Sequence, residues 1–486
     1  MRSLLGRFHR PMSRGAMGDM LTMNSLGDGS TLSLDFTTGV LDSRLTFSRA
    51  GGGTYVGADG YIYGVDSATS ASLAIGTGSK SVTLTATAGV DRRFEVGQTV
   101  YFSSGANNMS GLVTAYNAST QVITINATAT TGSGSFTSWF VGNASPRFDY
   151  SPTNIGEPRG LLIEGQTVNI MRGSQTIAGS EWSSSAPQFT VTLNTTDLVA
   201  PNNTNTATKL VYASGYARAV QTSITVVAST TYTFSYWIKS TGVSYWRVYD
   251  ATGGAFILEN VAIPASAEWQ RVTKTFTTPA GCTSIWAYVA DGANAGTYYV
   301  WGAQIELGTG ASSYIPTGAS GVTRTTDSCL ISGTNFSSWF NNTEGTCLFV
   351  GDNSFIPAAS NFATNWALIS AANSLRINNY TRHTSGRLGA SARDSGGTAL
   401  TFDSPTGSPT NITTTAVYKT AFALKTNDFA YCVNGNTVGL GDGNGVFETV
   451  TSIEFARDAI RNGHIKQFKF FPTRLPNAQL QTLTAP

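Results

Sequence analysis

The sequence predicts an all-β protein: serial β-sandwich and jelly-roll modules with a small inserted β domain and a short C-terminal helix. Three observations carry this. Only 12% of the 486 residues are charged and Gly contributes 52 of them, against about 25% charged and ~7% Gly in an ordinary globular chain. Stretches of alternating apolar and polar residues recur along the chain between Gly/Ser/Asn clusters, and residues that favour helices are sparse. No period of about 20–50 residues is visible, which excludes propellers, solenoids and a right-handed β-helix.

The elements follow in order. The opening MRSLLGRFHRPMSR carries Arg2, Arg7, Arg10 and Arg14 with no acid, and its apolar run is too short for a signal peptide. It reads either as a basic arm docking on a partner or as a frayed terminus. Breaks in composition divide the chain into an N-terminal region 1–67, a Thr/Ser/Gly-rich β unit 68–142, a strand-and-loop segment 143–327 and a last segment 328–486. Residues 81–87 (SVTLTAT) and 122–129 (VITINATA) alternate as half-buried strands. In 232–239, Tyr232, Phe234, Tyr236 and Ile238 share one face, and Thr233, Ser235, Trp237 and Lys239 the other. The same period puts Tyr299, Trp301, Ala303, Ile305 and Leu307 on one face of 298–307. The stretch 308–326 reads as a linker. A helix is predicted over 476–484, with Pro476 in its first turn and Ala478, Leu480 and Leu483 as its apolar side.

Charge and reactive residues narrow the function. A formal net charge of +2 without a basic stripe gives no electrostatic footprint for nucleic acid. No run approaches the ~18 apolar residues of a membrane span, so membrane insertion is not expected. Cys282, Cys329, Cys347 and Cys432 show no C-x-x-C spacing and read as buried free thiols from a reducing compartment. His9, His383 and His464 lie in dissimilar contexts, without a zinc-type H-E-x-x-H spacing, and read as surface or strand-end residues. Gly76–Ser81 lacks the spacer of a phosphate loop and reads as a hairpin turn. Acidic residues are too scattered to nominate a glycosidase pair. No catalytic residue and no cofactor is assigned. Asp442 and Asn444, in a D-G-N-G-type string, offer oxygens to calcium, with a tight turn as the rival reading.

Aromatic residues carry more. Trp182, Trp237, Trp246, Trp269, Trp286 and Trp301 all fall within 171–327. Sugar rings present flat C–H faces that stack on Trp and Tyr, while their hydroxyls need Asn, Asp or Arg nearby. Trp237, beside Thr233 and Lys239, and Trp246, in the polar-flanked SYWRVYD, are the glycan-binding candidates. Packing in a sandwich core competes for both.

The strings Leu45–Ala50 (LTFSRA), Thr54-Tyr55-Val56 and Asp59-Gly60, followed by Pro146–Asp149 (PRFD) and Gly160–Glu164 (GLLIE), resemble the opening of a tailed-bacteriophage virion protein family. Between them, Ile75–Lys80, Phe94–Gln98 and Gly132–Trp139 (GSGSFTSW) resemble a small β module recurring in phage tail-fibre proteins. Residues 171–327 resemble a carbohydrate-binding-module-like jelly roll through Tyr232–Trp237, Trp269–Val272, Trp301–Glu306, Ser313–Thr317 and Arg324. Residues 328–486 resemble a concanavalin-like (laminin G-like) sandwich, closing with Ile465–Phe471 and Arg474–Leu480.

The resemblance implies a tail-fibre or head-fibre-like virion surface protein, assembled in the host bacterial cytoplasm and without enzymatic activity. It would attach to portal, tail or capsid proteins through its N-terminal region, form a homotrimer and engage host cell-surface polysaccharide. A capsid or tail decoration (cement) protein that stabilises the particle is the alternative.

Overall fold

The computed structural model describes residues 27–486 except 50–52, 86–93, 95, 105–106, 144, 186–188, 213–216, 293–294, 355–361, 373, 383–386, 394–398, 404–415, 442–448, 456 and 458–460. The basic arm, His9, His383 and the calcium candidates Asp442 and Asn444 lie outside the described residues. The described part is almost entirely antiparallel sheet, and none of its helices is long and apolar enough to cross a membrane.

Residues 65–143 form a closed six-stranded barrel: Val65–Ala74, Gly78–Leu84, Thr99–Ser104, Asn107–Asn117, Val122–Thr131 and Ser135–Asn143. Alternation selects its interior. Val82 and Leu84 face inward from one strand, and Ile123, Ile125 and Ala127 from another, packing with Val100, Phe102, Met109 and Trp139. Closure removes exposed sheet edges. The barrel's first and last strands enter and leave side by side, with Val65 opposite Gly142.

The jelly roll consists of two five-stranded sheets. One, here the free sheet, runs Ser183–Ser185, Ala217–Thr225, Ser284–Gly292, Ser244–Asp250, Ala255–Ile263. The other, the docked sheet, runs Phe189–Thr192, Thr208–Tyr212, Gly296–Leu307, Thr231–Ser240, Ser266–Thr277. Tyr232, Phe234, Tyr236 and Ile238 all point into the core between them, as their alternation requires, and meet Trp246, Val248, Ile285 and Val289. The strand Gly296–Leu307 departs from simple alternation. Tyr298 and Val300 face this core, Trp301 faces away, and Ala303 and Ile305 face it again. Leu307 is exposed. The cause is a bulge: Ser235 pairs with Gln304 but Trp237 with Trp301, so one strand carries an extra residue. Gly302 absorbs it at φ +69°, and a Cβ there would lie 2.8 Å from the Trp237 ring.

The C-terminal sandwich is assembled from distant parts of the chain. Its eight-stranded sheet joins Arg147–Tyr150, Pro158–Glu164, Asn462–Phe471, Glu344–Gly351, Tyr418–Lys425, Phe429–Val433 and Gly439–Gly441, with Leu32–Asp35 also on Asn462–Phe471. The facing seven-stranded sheet begins with Thr46–Ser48 paired to Ser328–Ser332. Leu32, Leu34, Phe36, Leu161 and Ile163 therefore sit in the same core as Phe349, Trp366, Phe422 and Phe468. Strand pairing thus crosses the divisions that composition placed at 67, 142 and 327. Barrel and jelly roll are excursions from a sandwich that the chain starts, rejoins at 147–164 and completes after 328.

The predicted helix appears as Asn477–Thr484, directly after Pro476. Leu480 packs on Ala421, Ala423, Ala430 and Cys432. Thr484 rather than Ala478 is buried beside Leu480, and Leu483 is half-buried. The Thr484 hydroxyl bonds the Leu480 carbonyl and receives the Gly435 amide, so a polar residue is satisfied under the helix. All four cysteines are buried free thiols.

Candidate functional site

The motif residues converge, and what they build is a joint. Arg147 donates to Glu164 (2.6 Å), to Asp327 (2.6 Å) and to the Thr54 carbonyl, while Arg49 donates to Asp327 (2.9 Å) and the Ser145 carbonyl. Arg324 lies 3.1 Å from Glu164 and donates to the Gly165 carbonyl. Ser313 gives Glu164 its amide and hydroxyl, and Ser312 does the same for Glu306. Apart from the half-buried Ser313, these side chains are buried. Burial alone would raise the Glu164 pKa, but Arg324, Arg147 and Ser313 bring it down to about 2; Arg147 is correspondingly raised by Asp327 and Glu164 against its own burial. A buried charge network of this kind, in which the carboxylates are paired and only the Nε atoms of Arg147 and Arg324 lack a hydrogen bond, fixes geometry.

That joint consumes the outer face of the docked sheet. Thr233 bonds the Gly308 carbonyl, Gln304 receives the Ile315 amide, and Arg271 reaches both the Ser312 carbonyl and the Ser235 hydroxyl. The segment 308–317 is laid across the sheet rather than hanging free as a linker. Trp237 is caught in this packing: it stands edge-on to Trp301 (5.3 Å) and Tyr314 (5.6 Å), with the Arg271 guanidinium 4.5 Å over its ring. Trp301 and Trp269 also bond away from solvent, to Thr206 and to the Val199 carbonyl.

Trp246 requires a correction. It is 4% exposed and lies between the two sheets, 5.2 Å from Phe234 and 5.1 Å from Tyr236. In SYWRVYD the core takes Trp246 and Val248, so the residues turned outward are Tyr245, Arg247 and Tyr249. Trp246 is thus one residue out of phase with the outward-turned side chains of its strand, which means the opposite face.

The outward face of the free sheet holds an aromatic row that the sequence reading did not single out. Tyr249 lies between its ladder partners Phe256 and Trp286, with ring centroids 5.1 and 5.2 Å away. Phe256 is 39% and Trp286 36% exposed, large values for adjacent aromatic rings on a sheet. The rings are inclined to one another by 65° and 42°, so they form a faceted strip, not a flat plate. Across three strands the strip spans about 10 Å, two strand spacings. One row along, Arg247 pairs with Tyr288, bonds Asp291 (2.9 Å) and Asn260 (3.3 Å), approaches Glu259 (3.7 Å) and lies 5.1 Å over Phe256. Stacking surface and hydrogen-bonding groups are thus adjacent. The alternation in SIWAYVADG held the missed signal: Ile285, Ala287 and Val289 are core, which sends Trp286 and Tyr288 outward.

A second constellation was also missed. His464, read as a surface or strand-end residue, is 1% exposed. Nδ1 meets Asp352 and Nε2 meets Asp149, each at 2.8 Å. Asp352 is further held by Arg159 at 3.0 Å, and Asp149 accepts the Val56 amide. Burial pulls the imidazole pKa down, yet the two carboxylates raise it above its ordinary value. With both ring nitrogens committed and no access from solvent, this is an interlock between distant strands, not a proton-transfer site.

Neither a protein-family model nor a curated protein matches the chain. Solved structures with partial similarity include the CBM40 module of Ruminococcus gnavus IT-sialidase, at 15% identity over 30% of this chain and 84% of that one, TM-score 0.24. The receptor-binding domain of botulinum neurotoxin C/D mosaic serotype aligns at 14% identity over 32% of this chain and 40% of that one, TM-score 0.27. The binding domain of Paraclostridial Mosquitocidal Protein 1 gives 14%, 32%, 40% and 0.26 on the same measures. Each likeness covers about a third of the chain.

Proposed function

We propose that the chain is a non-enzymatic glycan-binding surface protein whose jelly roll presents the Phe256–Tyr249–Trp286 row to carbohydrate. The exposure of that row carries the reading. Among the described residues, the other large aromatic side chains of the jelly roll are mostly in the core or the joint, and burying exposed rings on a ligand is the favourable use of such a strip. The neighbouring Arg247, Asp291 and Glu259 supply donors and acceptors for sugar hydroxyls. Display on a bacteriophage virion, attachment to portal, tail or capsid proteins and engagement of host polysaccharide are the setting that the sequence motifs support. A homotrimer would raise weak single-site binding by avidity.

The test is titration of the full chain with host-surface polysaccharide. Trp286→Ala and Tyr249→Ala are each expected to weaken binding by about tenfold, or 1.4 kcal/mol, the scale of an aromatic hot spot. Trp286 projects from the sheet, so its variant should keep the parental unfolding midpoint. Undiminished binding by the double variant would remove this face from the account.

A further inference from the structure

We infer that the aromatic row selects neutral glycans and turns away anionic ones. This rests on the reading of the free sheet as the glycan site and goes one step further, to the class of ligand. The argument is a charge count at the site. Among the described side chains Arg247 is the cation bordering the row, and it is already committed: Asp291 at 2.9 Å, Glu259 at 3.7 Å and the Asn260 side-chain amide oxygen at 3.3 Å share its guanidinium. Among the described side chains around Arg247, two carboxylates face one guanidinium, a local charge of minus one. Arg172, whose guanidinium bonds the Thr222 carbonyl on the neighbouring strand, is itself paired to Glu181 at 3.3 Å.

A carboxylate- or phosphate-bearing sugar on this face would have to displace Asp291 from a side chain only 10% exposed. It would also sit against Glu259, whose side chain is 43% exposed and therefore in the path of a ligand. Stripping one partner from a largely buried ion pair is costly, and like charges in contact disfavour binding. A neutral pyranose meets neither obstacle. Its C–H face covers the rings, and its hydroxyls can donate to Glu259 while accepting from the guanidinium edge without breaking the existing pair. The absence of a full charge on the ligand also removes ionic-strength dependence.

The experiment is a binding panel on the full chain: neutral oligomers of glucose, galactose and N-acetylglucosamine against sialyllactose and an oligouronate, each at low and high salt. The expected result is binding of at least one neutral series, lost by tenfold or more in Trp286→Ala, unchanged by salt, with the anionic probes at least tenfold weaker. Glu259→Gln should narrow that gap several-fold by removing the exposed like charge. Preferential binding of an anionic probe that Trp286→Ala abolishes would overturn the charge selection and keep the site. Binding of no probe, or binding indifferent to Trp286→Ala, would overturn both.

Discussion

At the residue scale, His464 ties a pH dependence to named contacts. Its folded pKa is raised above the ordinary value of about 6.5. The stabilisation is therefore complete below about pH 6.5 and fades as pH rises through the folded value. Asp352 works from the other side: burial raises its pKa, but His464 and Arg159 hold it well below the usual carboxylate range. Its share is present above about pH 4 and is lost on strong acidification. We expect His464→Gln to cost about 3 kcal/mol, because it strands the Asp149 and Asp352 charges in a buried site. We also expect it to flatten the decline in stability that sets in above about pH 6.5 as the imidazole loses its proton. Urea midpoints across that range test this, and a slope identical to the parent's would refute the assignment. None of this was visible in the chain, where His464 and Asp352 are separated by more than a hundred positions. The same holds for the joint. Arg49, Arg147, Glu164 and Asp327 are scattered along the chain, and only the fold gathers them.

At the element scale, alternation is a strong guide wherever the ladder is regular. It located the faces of 81–84, 122–129 and 232–239 because each strand there keeps period two against a single core. It failed for 298–307 because Gly302 inserts a bulge, and a bulge cannot be seen in a pattern that still alternates on both sides of it. Replacing Gly302 by Val should destabilise the jelly roll by roughly 2–4 kcal/mol. The residue would be forced into the left-handed region, at a cost of ~1–3 kcal/mol, and its Cβ would press on Trp237. Thermal unfolding of the variant measures this. An unchanged midpoint would mean that the strand re-registers without penalty.

At the scale of the whole molecule, the sandwich begins and ends the described chain, and the other two modules are inserted into it. Composition shifts locate the barrel, whose strands pair only among themselves, but they cannot reveal that Leu32–Asp35 and Asn462–Phe471 are neighbours. The last segment alone is thus not a folding unit. A fragment of residues 328–486 would lack Leu32, Leu34, Phe36, Leu161 and Ile163 from its core and expose the edge of Asn462–Phe471 that Leu32–Asp35 and Pro158–Glu164 cover, its other edge staying paired with Glu344–Gly351. We expect it to aggregate or remain unfolded, for want of core and because of unpaired strand edges. Adding residues 27–64 and 145–165 through short linkers should restore a soluble, cooperatively unfolding domain. Circular dichroism and sedimentation distinguish the outcomes, and a soluble monomeric sandwich from 328–486 alone would contradict the shared core.

The sequence by itself determined the all-β class, a small β unit at 68–142, the terminal helix and the concentration of aromatics in 171–327. Each depends on composition or on a period of a few residues, and those are local properties of the chain. Only the tertiary structure decided which aromatic faces remain open. Docking of one sheet against the joint buries Trp301 and half-buries Trp237, the phase of Ser244–Asp250 sends Trp246 inward, and Phe256, Tyr249 and Trp286 are left in contact with solvent. Exposure belongs to the packing of whole sheets against each other, and no stretch of chain carries that information alone.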